Sequence, residues 1–126
     1  ADADVLVVTG ATSVGPEDLM PQLLAELGAL DLHGLAVRPA SPTGLGRAPD
    51  GRTVFLLPGN PVSCLCAYEL LVGPLLRALG GRPDPWAFPH RTAELELARK
   101  LTSKVGRTDF VRVRRTDALH VEPVAT

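Results

Sequence analysis

The chain has 126 residues, enough for one domain or for a small domain plus a piece of a second, and a formal net charge of −1. That charge leaves no footprint for nucleic acid held by bulk electrostatics. Hydrophobic residues make up 45% and aromatics only 4%, so Leu, Val and Ala must fill the core; no apolar run is expected to reach the ~18 residues of a membrane span.

The first residues, Ala-Asp-Ala-Asp, lack the basic region of a signal peptide. Val5–Thr9 is a continuous apolar, β-branched run, patterned as an interior strand covered on both faces, with neighbours expected on each side. Residues 10–17 form a polar, glycine-containing loop. Asp18 is placed to cap a helix running to about Leu27, with Leu19, Leu23, Leu24 and Leu27 on one face, Pro21 in the first turn and Gly28 at the stop. Leu35–Arg38 reads as a short strand ended by Pro39, and residues 40–52 read as loop. Thr53–Leu57 reads as a second buried strand, and the intervening turn is short enough to pair these two antiparallel.

Pro58-Gly59-Asn60-Pro61-Val62-Ser63 is a turn between an apolar strand and a long apolar helix. Its prolines fix φ and donate no hydrogen bond, and Gly59 leaves the backbone uncovered. Asn60 can cap the helix or donate to a ligand, and Ser63 adds a hydroxyl in the first turn. The helix dipole and its unpaired N–H groups then favour an oxyanion, whereas the plainer reading is a capped strand–helix connection. The helix from about Val62 to Leu79 is apolar nearly all round, so it should be buried or lie at an interface, with a kink at Gly73-Pro74. Cys64 and Cys66 point to different faces of it and neither pair nor chelate easily, which suits core thiols in a reducing cytoplasm.

Residues 80–90 hold three prolines and two glycines and read as a linker. Beyond it, Ala93–Leu97, Phe110–Arg114 and, more weakly, Leu119–Val124 alternate with period two, as half-exposed antiparallel strands of a second module do. The expected fold class is α/β: a partial sheet with flanking helices over residues 1–80, a linker over 81–90, and a small antiparallel, partial β-barrel-like module over 91–126. An interior strand at the start and three strands at the end suggest a piece of a longer protein.

Three loops should meet at one edge of the α/β part, outside the carboxyl ends of its strands. The loop after the first strand offers hydroxyls from Thr12 and Ser13 and close backbone approach at Gly10 and Gly15, without a Walker or dinucleotide fingerprint. Asp18 is either a helix cap or a carboxylate for a hard cation such as Mg²⁺, whose shell one carboxylate, phosphates and waters can complete. Arg38 leaves a strand end beside Pro39, Ala40 and Ser41, and the turn at Pro58–Ser63 is the third. Arg107, in Gly106-Arg107-Thr108-Asp109-Phe110, leads into a strand of the β module. His33, His90 and His120 lack ligand spacing, and no nucleophile–His–acid set stands out.

Taken in order, Asp-Val-Leu-Val-Val-Thr-Gly-Ala-Thr-Ser-Val-Gly-Pro-Glu-Asp at 4–18, Arg-Pro-Ala-Ser-Pro at 38–42, Leu-Pro-Gly-Asn-Pro-Val-Ser at 57–63 and Gly-Arg-Thr-Asp-Phe-Val-Arg at 106–112 resemble the molybdopterin molybdenumtransferases. This is the MoeA-type family that includes the C-terminal domain of gephyrin, and the chain resembles its C-terminal part. The resemblance implies a partial molybdopterin-binding-like sheet, and insertion of molybdate into the dithiolene of adenylylated molybdopterin with release of AMP. It also implies Mg²⁺ assistance, a cytoplasmic setting, and a homodimer in the full-length protein with no nucleic acid or membrane partner. A non-catalytic molybdopterin-binding or scaffold module of the same fold is the alternative.

Carried over by position, the resemblance sets Asp18 at the family's Mg²⁺ aspartate and Gly10, Ser13 and Gly15 in its loop. Arg38 falls where the family usually has a lysine near the anions, with Ser41 beside it. Ser63 and Arg107 match positions associated with molybdate, and Pro58, Gly59, Asn60 and Pro61 form the substrate-binding turn. Asp18, Arg38 and Ser63 are the implied catalytic set. The chain departs from the family's Gly-Gly-Val-Ser loop at Ala11 and Thr12, and from its Lys-Pro-Gly-Lys-Pro loop at Arg38, Ala40 and Ser41.

Overall fold

A computed structural model describes residues 2–124. Its centre is a four-stranded sheet in the order β1-β5-β4-β2, with β1 (Val5–Thr9) parallel to β5 (Thr53–Leu57), and β4 (Gly44–Arg47) antiparallel to both β5 and β2 (Ala29–His33). Strand β5 is buried over its last four residues because both of its faces are covered. Val54 and Leu56 pack with Leu24 of helix α1 (Met20–Leu27). Phe55 and Leu57 pack with Ala67 and Val72 of the second helical stretch. This is the double burial that an unbroken apolar run encodes.

Strand β1 has the pattern of an interior strand but lacks a second neighbour here, as expected of a piece of a longer protein. It lies at the sheet edge, paired only with β5 among the described residues, and Val7 is 45% exposed. Residues 40–52 are not all loop, since they contain β4, and β2 had no counterpart in the sequence reading. Strand β4 reads poorly because two of its four residues are glycine, and both are there for space. A Cβ on Gly46 would stand 2.1 Å from the Ala29 carbonyl oxygen, and one on Gly44 3.2 Å from Leu56.

The expected Leu35–Arg38 strand shortens to β3 (Val37–Arg38), and its partner is not β5 but β7 (Thr108–Asp109), in parallel. The N–H groups of Thr108 and Phe110 donate to the carbonyls of Ala36 and Arg38 at 2.9 and 2.7 Å, so this two-rung ladder joins the first part of the chain to the last.

The second helical stretch is α2 (Pro61–Ala67), a π-helical turn (Tyr68–Val72) and α3 (Gly73–Leu79). In place of a proline kink, the chain absorbs Pro74 in the wide turn: Gly73 N–H reaches back five residues to the Tyr68 carbonyl. Pro61–Leu79 spans 19 residues with mean hydropathy 1.5, so by length and composition it is apolar enough to cross a membrane, contrary to the sequence expectation. Its Ala67–Val72 contacts with β5 are those of a core helix. Cys64 and Cys66 are free, half-buried thiols against that core, and burial pushes the Cys66 thiol up.

Residues 80–90 carry no helix or strand and fold back on the helix. Arg77 Nε donates to the Pro85 carbonyl at 2.8 Å, and His90 Nε2 meets Glu69 at 3.0 Å. The last strands are β6 (Glu96–Leu97), β8 (Val113–Arg115) and β9 (His120–Pro123), ordered β6-β9-β8. β8 and β9 are antiparallel as expected, whereas β6 runs parallel to β9. The expected Phe110–Arg114 strand is broken, because Thr108–Asp109 and Val113–Arg115 join different sheets.

Candidate functional site

At the start of α2 the backbone is already capped. Asn60 Oδ1 accepts from the N–H groups of Val62 and Ser63 at 3.1 and 3.3 Å, and Pro61 has none to offer. Of the two roles open to Asn60, its side-chain oxygen takes the cap, which leaves the helix start fewer donors for an anion than its sequence suggested. The charge comes from elsewhere. A cavity of about 700 Å³ opens beside this turn, lined by Arg38, Pro39, Asn60, Val62 and Ser63 on one side and by residues of the β module on the other. Four arginines line it, Arg38, Arg99, Arg107 and Arg112, against one carboxylate, Asp109.

The β3–β7 ladder makes this convergence. It sets Arg38 in register with Asp109 and brings the Arg107 segment to the Ser63 turn. Arg107 Nη2 donates to Asp109 Oδ2 at 3.1 Å, and its Nε lies 2.8 Å from Oδ1, an ion-pair approach off the hydrogen-bond axis. The hydrogen bond from Arg107, then that from Ser103, holds the Asp109 carboxyl below the usual carboxylate range, with Arg38 adding its charge. Asp109 is therefore ionised at neutral pH, and the wall retains a net positive charge.

The loop after β1 does not line this cavity; it forms a second limb packed against the Pro58–Gly59 turn. Gly10, at φ +83°, packs against Gly59 so closely that a Cβ on Gly59 would sit 3.3 Å from Gly10 Cα. Gly10 N–H and Thr12 Oγ1 both donate to the Leu57 carbonyl, at 3.1 and 2.9 Å. This bond satisfies the hydroxyl of Thr12, which is buried. His33 Nε2 donates to the Thr12 carbonyl at 2.8 Å, which fixes the loop from the far side.

Asp18 is not a helix cap. Leu19 precedes α1 without a side-chain cap, and Asp18 Oδ2 instead accepts from Gly15 N–H at 2.8 Å while its own N–H donates to the Gly15 carbonyl. The carboxylate closes its own loop, with Ser13 half-buried within it. Ser41 is exposed and its carbonyl accepts from Leu35 N–H; it does not line the cavity. Pro58 is buried beneath the turn, and Gly59 and Pro61 are exposed on it.

Arg38, Asn60, Ser63 and Arg107 are thus brought together, while Gly10, Ser13, Gly15 and Asp18 form the second limb. The sequence reading missed Arg99, Arg112 and Asp109 as wall residues. The only signal for the last two was their place in the Gly106–Arg112 motif. Ala11 and Ala40 are the two non-glycine residues with positive φ among those described, at +51° and +95°.

The arginine-lined cavity lies beside the carboxyl end of β5 in an open α/β sheet, where such sheets take their ligands. The chain belongs to the family of probable molybdopterin-binding domains of molybdenum cofactor biosynthesis, whose family model matches residues 1–78. It is 36% identical over 120 residues to molybdopterin molybdenumtransferase 2 of Mycobacterium tuberculosis, covering 88% of this chain and 28% of that protein. It is 33% identical over 112 residues to the molybdopterin molybdenumtransferase of Haemophilus influenzae, covering 89% of this chain and 27% of that one. The chain therefore spans less than a third of the relatives it matches. The molybdopterin biosynthesis MoeA protein of Pyrococcus horikosii superposes with a TM-score of 0.73 at 35% identity, over 99% of this chain and 29% of that one. A molybdenum cofactor biosynthesis protein from Pyrococcus furiosus follows with a TM-score of 0.68 at 25% identity, over 99% and 37%. The MoeA-type resemblance and the α/β fold class both hold.

Proposed function

We propose that this chain supplies one wall of a molybdenumtransferase site, which inserts molybdate into adenylylated molybdopterin and releases AMP. The observation that carries the reading is the convergence of Arg38, Ser63 and Arg107, from three separate segments, on one cavity with four arginines and one carboxylate. A dianionic tetrahedral oxyanion suits guanidinium and hydroxyl donors at such a wall. The limb at Gly10–Asp18 is the natural seat for the phosphates, since its glycines let the backbone approach them. Ser13 adds a hydroxyl there. The Pro58–Asn60 turn sits between the two limbs and positions one ligand group relative to the other.

Mg²⁺ fits Asp18 in one respect. The carboxylate uses Oδ2 for Gly15, and Oδ1 has no partner among the described residues. No group of three or more His, Cys, Asp or Glu side chains that could hold a metal stands near it in the described structure, so substrate phosphates and waters would complete the shell. When bound there, the ion would shield phosphate charge. The reading includes a homodimer of the longer protein, supported by the exposed Leu65, Leu76 and Leu79 on the second helical stretch, and a cytoplasmic setting, where free thiols stay reduced.

The test follows molybdate uptake and AMP release from adenylylated molybdopterin by the polypeptide that contains this chain. Arg38→Ala and Ser63→Ala should each weaken molybdate binding, by roughly 1.5–3 kcal/mol for the charged contact and about 1 kcal/mol for the hydroxyl. Binding that survives both changes sinks the reading. Molybdopterin binding without AMP release in the unaltered protein would favour the non-catalytic module.

A further inference from the structure

We infer that Asp109 is the positioning residue of the cationic wall: it holds the Arg107 guanidinium along its Nε–Nη2 side and leaves the Nη1 end for the oxyanion. This deepens the reading of the cavity as an anion site and rests on it. Guanidinium offers five N–H donors in a fixed plane. Nε and Nη2 share one edge, and these are the two atoms at 2.8 and 3.1 Å from the Asp109 oxygens. Nη1 has no partner among the described residues, so the free end belongs to a side chain that lines the cavity.

The clamp is itself held from two directions. Ser103 Oγ donates to Asp109 Oδ2 at 2.6 Å, and the backbone of Asp109 is fixed by its register with Arg38 and by the bond from Phe110 N–H to the Arg38 carbonyl. Arg107 itself lies in the turn before a two-residue strand. Without Asp109 its long side chain would regain its rotamers, and Arg38 would repel it. An incoming anion would then have to order the guanidinium as well as bind it. With Asp109 the anion meets a guanidinium already oriented, and the empty cavity keeps part of its positive charge balanced.

The experiment titrates the chain with inorganic molybdate by calorimetry. Asp109→Asn should weaken binding about tenfold, the upper end of what ordering one rotamer-rich side chain costs on binding. Asp109→Glu should recover part of that, and Arg107→Ala combined with Asp109→Asn should bind no more weakly than Arg107→Ala alone. Unchanged or tighter binding by Asp109→Asn overturns the inference, as do losses that simply add. A second measurement needs no ligand: ¹⁵N NMR of the unaltered chain should show hindered rotation of the Arg107 guanidinium about its Cζ–Nη2 bond, since Nη2 donates to Asp109, and this should be lost in Asp109→Asn. A guanidinium that rotates as in free arginine overturns the clamp whatever molybdate does. Hindered rotation in a chain that takes up no molybdate supports the clamp and refutes the molybdate reading, so the two failures are told apart.

Discussion

Ala11→Gly should make the protein more stable, although it removes a methyl group and gives the unfolded chain more freedom. Ala11 sits at φ +51° on the exposed part of the first loop. An L-residue in the left-handed region carries roughly 1–2 kcal/mol of strain from its Cβ. Glycine relieves that strain but returns about 0.4–1 kcal/mol to the unfolded state through backbone entropy. The net gain is about 0.5–1 kcal/mol. At an unfolding entropy near 2.1 cal/mol/K per residue, that raises Tm by about 2–4 °C. Ala40→Gly is the built-in control. Its φ of +95° is further from the allowed well, but the residue is 2% exposed and packs in the core beside Phe55 and Leu57. Losing that buried methyl costs about 0.8 kcal/mol and sets most of the relief aside, so its melting point should stay close to the parent's. Melting curves by circular dichroism at one pH and salt suffice. A Tm for Ala11→Gly at or below the parent value would refute the strain argument.

Gly46→Ala should cost about 3 kcal/mol or prevent folding, since its Cβ would meet the Ala29 carbonyl oxygen at 2.1 Å; a mutant melting within a degree of the parent would show that β2 and β4 lie further apart. Asp18→Asn should leave the melting curve nearly unchanged, because the amide oxygen can still accept from Gly15 N–H, and should abolish Mg²⁺-dependent insertion in the longer protein; undiminished insertion would remove Asp18 from the metal site. His120 is held above its ordinary value of about 6.5, first by its hydrogen bond with Asp117, then by that residue's charge and by Glu96. A raised folded-state value means that its stabilisation is complete below about 6.5 and is lost as pH rises through the folded value; an NMR titration of the ring that gives a value below 6.5, or an identical pH profile in His120→Gln, would contradict this.

Much of the centre was legible because local pattern and burial agree there. Strand β5 needs an unbroken apolar run to face two layers, and Asn60 between two prolines leaves little choice but a helix start. Strand β4 was illegible for the opposite reason: Gly44 and Gly46 are chosen for the space their neighbours occupy, and no propensity records that. Strand β1 carries the pattern of two covered faces but has one partner here, which is the mismatch that marked it as an interior strand without its neighbour. At the site, Arg38, Ser63 and Arg107 could be named from their motifs. Their meeting depends on β3 pairing with β7, a two-rung contact between segments far apart in the sequence, which no periodicity announces. Asp109 was overlooked beside Arg107 because a carboxylate looks wrong in a place meant for anions until its geometry shows which cation it serves.

The same ladder makes the cavity the least secured part of the molecule. One wall rides on a sheet whose central strand is sealed on both faces, while the other is tied to it by the short β3–β7 ladder. Breaking those few contacts parts the walls and leaves the central sheet intact, which is the arrangement expected of a local opening far below the energy of global unfolding. The two walls can therefore part at that joint while the turn at Pro58–Ser63 keeps its place on the central sheet.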